Sequence, residues 1–252
     1  MHFGDSWSSC LEAASTVELP EGQLCRMTGG RLARILQSAA GLLGAFCVVV
    51  GAAVAGESSR TISRADLVAA LERGPGPARG SVDAPVVMVE FSDFLCGYCR
   101  IFAQETLPKI EERYIREGKV RFVYRHMTVR GDASFLAAQA ASCAEDQGKF
   151  WEFHDVLFGK TSPVVFTSAR LRQYAAGLRL DAKSFSACLD SGKHAERVET
   201  ETVLGHALGA TGTPAFLLNG QLVIGAYPFE AFQRGFDMLL GTSSRKPDDR
   251  AK

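Results

Sequence analysis

The residues best equipped for chemistry are Cys96 and Cys99, separated by Gly97 and Tyr98 in EFSDFLCGYCR, residues 90–100. The thiolate is the attacking species in disulfide exchange, and its pKa controls its reactivity. Two cysteines this close can open and close a disulfide with little backbone motion. Two other chemistries compete for the pair. A structural zinc site takes four ligands, usually from two such pairs. Here there is one pair, Cys143 and Cys188 are isolated, and no histidine lies at ligand spacing from Cys96. A purely structural staple also stays open, although a bridge closing so short a loop restrains little of the unfolded chain.

Two further positions bear on the choice. Thr213-Pro214 stands directly before the strand-like AFLL. A cis X–Pro bond there would leave the Thr213 backbone free to pair with an extended peptide, as a neighbouring strand would. The competing reading is an ordinary trans proline opening a strand. Glu90 lies in the apolar run VVMVEF that leads to Cys96. A carboxylate is costly in such a run unless it has a role, and proton exchange with Cys99 is one. The alternative places Glu90 at the sheet edge in water.

The elements that must position these groups can be read from periodicity and breakers. Residues 86–91 form a short apolar run fit for a buried strand. A helix is expected from the cysteines to about residue 117, kinked at Pro108 and ended by Gly118. Residues 120–124 are the next strand, and strand–helix–strand suggests a right-handed parallel unit. Cys96 then sits at the helix N-terminus, where free N–H groups and the positive dipole end favour its anion. Cys99 is one turn on and more buried. Residues 132–208 read as helical almost throughout, with starting signals at Thr167 or Ser168 and at Asp181. Residues 215–218 and 221–224 form a hairpin across Asn219-Gly220, a strong turn signal. Residues 229–240 close with an amphipathic helix. Ahead of the first strand, residues 63–73 read as a short helix with Ser63 as N-cap. GPGPARG, residues 74–80, reads as a linker.

This order, strand, helix, strand, helical block, hairpin, helix, specifies an α/β chain: a thioredoxin-type sheet with an inserted all-helical subdomain. The expected division is 1–55 as an upstream extension plus signal peptide or N-terminal anchor, 56–80 as helix and linker, 81–131 with 210–242 as the thioredoxin domain, 132–209 as the helical insertion, and 243–252 as a polar tail.

Composition agrees with a folded domain and narrows its partners. Of 252 residues, 46% are hydrophobic, enough for a sizeable core. Lys+Arg and Asp+Glu balance at 28 each, so no basic excess points to nucleic acid. Residues 39–56, AAGLLGAFCVVVGAAVAG, carry no charge, follow Arg26, Arg31 and Arg34, and end in Ala53-Val54-Ala55. That is the pattern of a secretory signal cleaved after Ala55. An uncleaved anchor, which alone would bring the protein into contact with a membrane, is the second reading. Asp5, Glu12, Glu18 and Glu21 fit no signal, so translation is expected to start at Met27. Of seven cysteines, Cys96, Cys99, Cys143 and Cys188 would remain after cleavage, in an oxidising compartment.

VEFSDFLCGYC, EDQGKFWEFHDVLF and LGATGTPAFLLNG together resemble the signatures of DsbA-like thiol–disulfide oxidoreductases of bacterial cell envelopes. The resemblance covers about residues 81–240. It implies a thioredoxin fold with a helical insertion and catalysis of disulfide formation in exported proteins. Cys96 would be the exchanging sulfur, Cys99 its resolving partner and Pro214 the cis-proline after Thr213, with Gly97 and Tyr98 also facing the client. Glu90 matches the family's acidic position. The partners implied are unfolded or thiol-containing exported proteins and a quinone-linked membrane protein that reoxidises the pair; no cofactor or metal is implied. Many relatives carry proline after the first cysteine, and strong oxidants carry histidine before the second. Gly97 and Tyr98 take those places here, so a less stabilised thiolate and a milder oxidant are expected.

Cys143 and Cys188 both fall in the helical block. They are expected to pair as a structural disulfide, against the alternative of two packed free thiols. Phe150, Trp151, Phe153 and Phe158 recur at helical spacing and read as core. His126 and His154 read as structural or surface residues. Phe94, Leu95 and Tyr98 could form an apolar surface for unfolded chains.

Overall fold

The structure, a computed structural model, describes residues 62–160 and 166–243. The chain divides into two units, Met1–Ser63 and Arg64–Lys252, and the second carries every element that follows. The expected signal or anchor, the start at Met27, Cys10, Cys25 and Cys47, and the tail after residue 243 lie outside the described residues. Among those described, no helix is long and apolar enough to cross a membrane.

Five strands form one sheet in the order β1-β3-β2-β4-β5: β1 (Ala78–Arg79), β2 (Val86–Ser92), β3 (Val120–His126), β4 (Ala215–Leu218) and β5 (Gln221–Ile224). β2 runs parallel to β3, and the other pairings are antiparallel. β2 is central, and its continuous apolar run has the usual cause: both faces are covered. Val86 and Met88 pack on one side with Phe102, Ile110, Phe122 and Phe216, while Val89 and Phe91 pack on the other with Leu71, Val123 and Leu217. The period of two puts Glu90 on the Met88 side, beneath the helix that follows the cysteines. In the β4–β5 hairpin, Asn219 (φ 47°) and Gly220 (φ 80°) take the two positive φ angles that a type I′ turn needs.

α1 (Arg64–Arg73) precedes the sheet. After the cysteines the chain is helical through α2 (Gly97–Ile101), a π-turn (Phe102–Thr106), α3 (Leu107–Ile110) and a second π-turn (Glu111–Ile115). Pro108 therefore does not break the run. The π-turn just ahead of it, in which Leu107 N–H reaches Phe102 O, absorbs the irregularity that a residue without an N–H imposes. Between β3 and β4 lie α4 (Asp132–Glu145), α5 (Phe150–Phe158), α6 (Ser168–Gly177), α7 (Ala182–Ser191) and α8 (Ala195–Ala207). Thr167 and Asp181 cap α6 and α7, accepting from the N–H groups of Arg170 and Ser184. The Cys143–Cys188 disulfide joins α4 to α7. α9 (Phe229–Ser243) ends the described chain.

Several expectations need correction. Ala78–Arg79, read as linker, is an edge strand pairing Ala78 with Val123 and Arg79 with Phe122. β3 runs to His126 because Arg125 and His126 are buried there. Arg125 donates to the carbonyls of Leu71, Gly74 and Pro75 and lies 3.5 Å from the Glu201 carboxylate, so the buried cation has its donors and its charge partnered. His126 and His154 are both buried, which excludes the surface reading. Phe150, Phe153 and Phe158 are core, whereas Trp151 is half-buried with the Arg79 guanidinium over its ring.

Candidate active site

The fold brings two separate pieces of sequence to one point. β2 ends at Ser92, and a tight turn follows in which Cys96 N–H donates to Asp93 O at 2.9 Å. Cys96 is the N-cap of α2, with extended backbone (φ −82°, ψ 119°), and Cys99 lies in its first turn. From β4, the pairing Phe91↔Ala215 places Pro214 beside the end of β2. The Thr213–Pro214 bond is cis. Its Thr213 carbonyl lies 3.2 Å from Cys96 Sγ, accepting from the thiol.

Both cysteines are free thiols and both are buried, at 1% and 0% exposure. Cys99 is the deeper of the two, as expected, and their electrostatics separate them further. Cys96 is lowered to about 4, first by a hydrogen bond from the Cys99 thiol, against the effect of burial, and then by the Thr213 side chain and the N–H groups of Cys99 and Tyr98. Cys99 is pushed well above the ordinary thiol range by burial, and further by its neighbours Cys96 and Glu90. With no histidine beside it, Cys96 is lowered by the partner thiol and the helix N-terminus.

Glu90 is wholly buried in the centre of the sheet, between Tyr124 and Phe216, which excludes the water-exposed edge. Burial raises its carboxyl to about 8; the nearby Ser92 hydroxyl opposes this and the charge of Cys96 adds to it. Both Glu90 oxygens, the Ser92 and Tyr124 hydroxyls and the Thr213 hydroxyl lack well-formed hydrogen bonds among the described residues. The carboxyl thus lies behind Cys99, lifted by burial towards the neutral range.

Gly97 and Tyr98 are exposed, Tyr98 at 65%. Gly97 has open space where a Cβ would stand, so no close approach demands glycine there. Leu95 is half-buried, but Phe94 is core, stacked on Tyr124 with ring centroids 5.6 Å apart. The expected apolar surface therefore loses one of its three members.

Two groups escaped the sequence. Asp93 is buried, and its carboxylate accepts from Leu95 N–H at 2.8 Å and Val129 N–H at 2.9 Å, clamping the cysteine turn to the loop after β3. Arg130, on that loop, brings Nη2 to 3.9 Å from Cys96 Sγ. No spacing rule links residues so far apart in the chain. Elsewhere, ligand atoms of Cys143, Cys188 and His194 converge, but the two sulfurs are bonded to each other.

A reactive thiol pair at a helix start, opposite a cis-proline on a mixed sheet, defines a thioredoxin-fold protein of the dithiol type. A family model described as thioredoxin matches residues 72–237, and the chain belongs to that family, in its DsbA-like branch. It is 31% identical to disulfide bond formation protein D of Bacillus subtilis over 58% of this chain and 69% of that one. The crystal structure of oxidised BdbD from B. subtilis aligns with a TM-score of 0.61 at 28% identity, covering 66% of this chain and 93% of that one. The chain is also 30% identical, over 73% of its length, to a Na(+)/H(+) antiporter NhaA of Salinispora tropica, but spans only 28% of that relative.

Proposed function

We propose that this protein is a thiol–disulfide oxidoreductase that introduces disulfides into exported proteins through Cys96 and Cys99. The observation that carries the reading is the asymmetry of the pair: an easily ionised Cys96 at the helix tip, and a buried Cys99 backed by a carboxyl that titrates near 8. In the oxidised protein a client thiolate attacks Cys96 Sγ. The Cys96–Cys99 bond breaks, a client–Cys96 disulfide forms, and Cys99 leaves as a thiolate that takes a proton from Glu90. The client's second thiolate then attacks its own sulfur in the mixed disulfide and releases Cys96 as a thiolate. The client loses two electrons and the pair gains them. During the mixed-disulfide stage, Thr213 and cis-Pro214 hold the client backbone beside Cys96, with Gly97 and Tyr98 at its margin.

The stabilised Cys96 thiolate favours the reduced protein, which makes the pair oxidising. This supports net oxidation over the reductase or isomerase direction. Export by the 39–56 segment, cleaved or retained as an anchor, and reoxidation by a quinone-linked membrane partner complete the reading; both rest on the resemblance and the leader pattern. The deciding experiment mixes stoichiometric oxidised protein with a reduced two-cysteine peptide. Oxidation of the peptide, lost in Cys96→Ser, is expected. Client binding that survives Cys96→Ser without any oxidation would indicate a chaperone-like module. A glutathione equilibrium as reducing as thioredoxin's would indicate a reductase.

A further inference from the structure

Beside Cys96 opens a cleft of about 400 Å³, lined by Phe94, Leu95, Cys96, Gly97, Arg100, Arg130 and Lys160. Every charged side chain in this lining is a cation, although the whole chain is neutral. The three come from different elements: Arg100 from α2, Arg130 from the loop after β3, and Lys160 from the residues after α5. Arg130 is held in place by the buried Asp93 carboxylate, which binds the N–H of its neighbour Val129 and that of Leu95 on the cysteine turn. Lys160 lies over the Tyr174 ring at 5.2 Å. None of the three forms an ion pair among the described residues, whereas nine other pairs do form there.

Such an arrangement has two uses for an exchanging sulfur. Arg130, 3.9 Å from Sγ, can balance the Cys96 thiolate when the pair is reduced. Among the described residues only Arg130 of the three bonds that sulfur, so direct pairing with the thiolate does not account for Arg100 and Lys160. In the oxidised protein Cys96 carries no charge, and all three cations face the cleft unmatched. A client that approaches Sγ through this cleft brings its own thiolate and flanking carboxylates to the three cations.

We propose that Arg100, Arg130 and Lys160 form a recognition site for client segments carrying Asp or Glu beside the reactive cysteine. The proposal rests on the reading that Cys96 exchanges disulfides with peptides. Stabilisation of the Cys96 thiolate alone would act equally on every client, so dependence on client charge separates the two roles.

The test uses oxidised protein and three reduced peptides with the same two cysteines, flanked by Glu, Ser or Lys, with oxidation followed by stopped flow. The Glu peptide is expected to react about tenfold faster than the Lys peptide at low salt, with Ser between, through faster association. The ratio should fall towards one in about 0.5 M NaCl, where charges screen within a few ångströms. It should also fall stepwise in Arg100→Gln, Lys160→Gln and the double variant. Equal rates for the three peptides in the unaltered protein, or a preference unmoved by salt, would overturn the recognition site while leaving disulfide exchange intact. Failure to oxidise any of the three would overturn the oxidoreductase reading, and the recognition site with it.

Discussion

Two acids with displaced pKa values govern the site, and they act on stability in opposite senses. Cys96 in the reduced protein titrates near 4 rather than near 9. Between those values the unfolded chain binds the extra proton, so this thiol stabilises the reduced fold fully above about pH 9, and the contribution is lost as pH falls through 4. Glu90 titrates near 8 instead of 4.5. Between those values the folded chain holds the extra proton, so stability falls as pH rises through that window. Glu90→Gln is therefore expected to raise the melting temperature at pH 8 and change it little at pH 4. A gain that is equal at both pH values would refute the buried neutral carboxyl. The same variant should slow formation of the mixed disulfide, since Cys99 then leaves with no proton carrier behind it. For Cys96, the rate of iodoacetamide alkylation of the reduced protein should titrate with a midpoint near pH 4; a midpoint above 8 would contradict the helix-tip thiolate.

At the scale of elements, the site depends on two places where backbone is tied to backbone. Asp93 joins the cysteine turn to the loop after β3 through two N–H groups. Asp93→Ala leaves both donors in a buried setting without their acceptor, at a cost of about 2–5 kcal/mol for two such groups. Urea denaturation should register that loss, and alkylation of Cys96 should become less selective as its turn loosens. α8 approaches the sheet at Gly205, where a Cβ would meet Phe91 Cδ1 at 3.1 Å and Met127 Sδ at 3.2 Å. Gly205→Val is expected to destabilise the protein by about 1–3 kcal/mol through overpacking, read by the same titration. Helix starts were visible in sequence at Thr167 and Asp181 because capping is local chemistry. The Ala78–Arg79 strand was not, because a two-residue strand bounded by glycine and proline has no periodicity.

For the whole molecule, the Cys143–Cys188 disulfide closes a loop across the helical insertion, at a sequence separation of 45. Chain entropy alone assigns such a closure up to about 4 kcal/mol. The double variant Cys143→Ser/Cys188→Ser should lose about 2–4 kcal/mol by denaturant titration yet still oxidise a test peptide, since neither sulfur lies in the Cys96 cleft. Loss of exchange in a folded double variant would bring that bridge into the chemistry. The insertion is also fastened to the sheet by the buried Arg125–Glu201 contact and by Glu201 accepting from His126 N–H, so β3, α1 and α8 are held together by one polar cluster.

Local order determined much of this protein. The apolar run VVMVEF, the Asn-Gly turn, the cysteine spacing and the Thr-Pro step each depend on neighbours a few residues apart, and so they were legible in the chain itself. What only the folded molecule decided were quantities set by distant groups. Burial on both sides of β2 made Glu90 a neutral acid, and a partner thiol and free N–H groups, not a histidine, lowered Cys96. Arg130 reached the sulfur across 34 residues of chain. Desolvation and charge act through space, and a linear order of residues does not contain those distances.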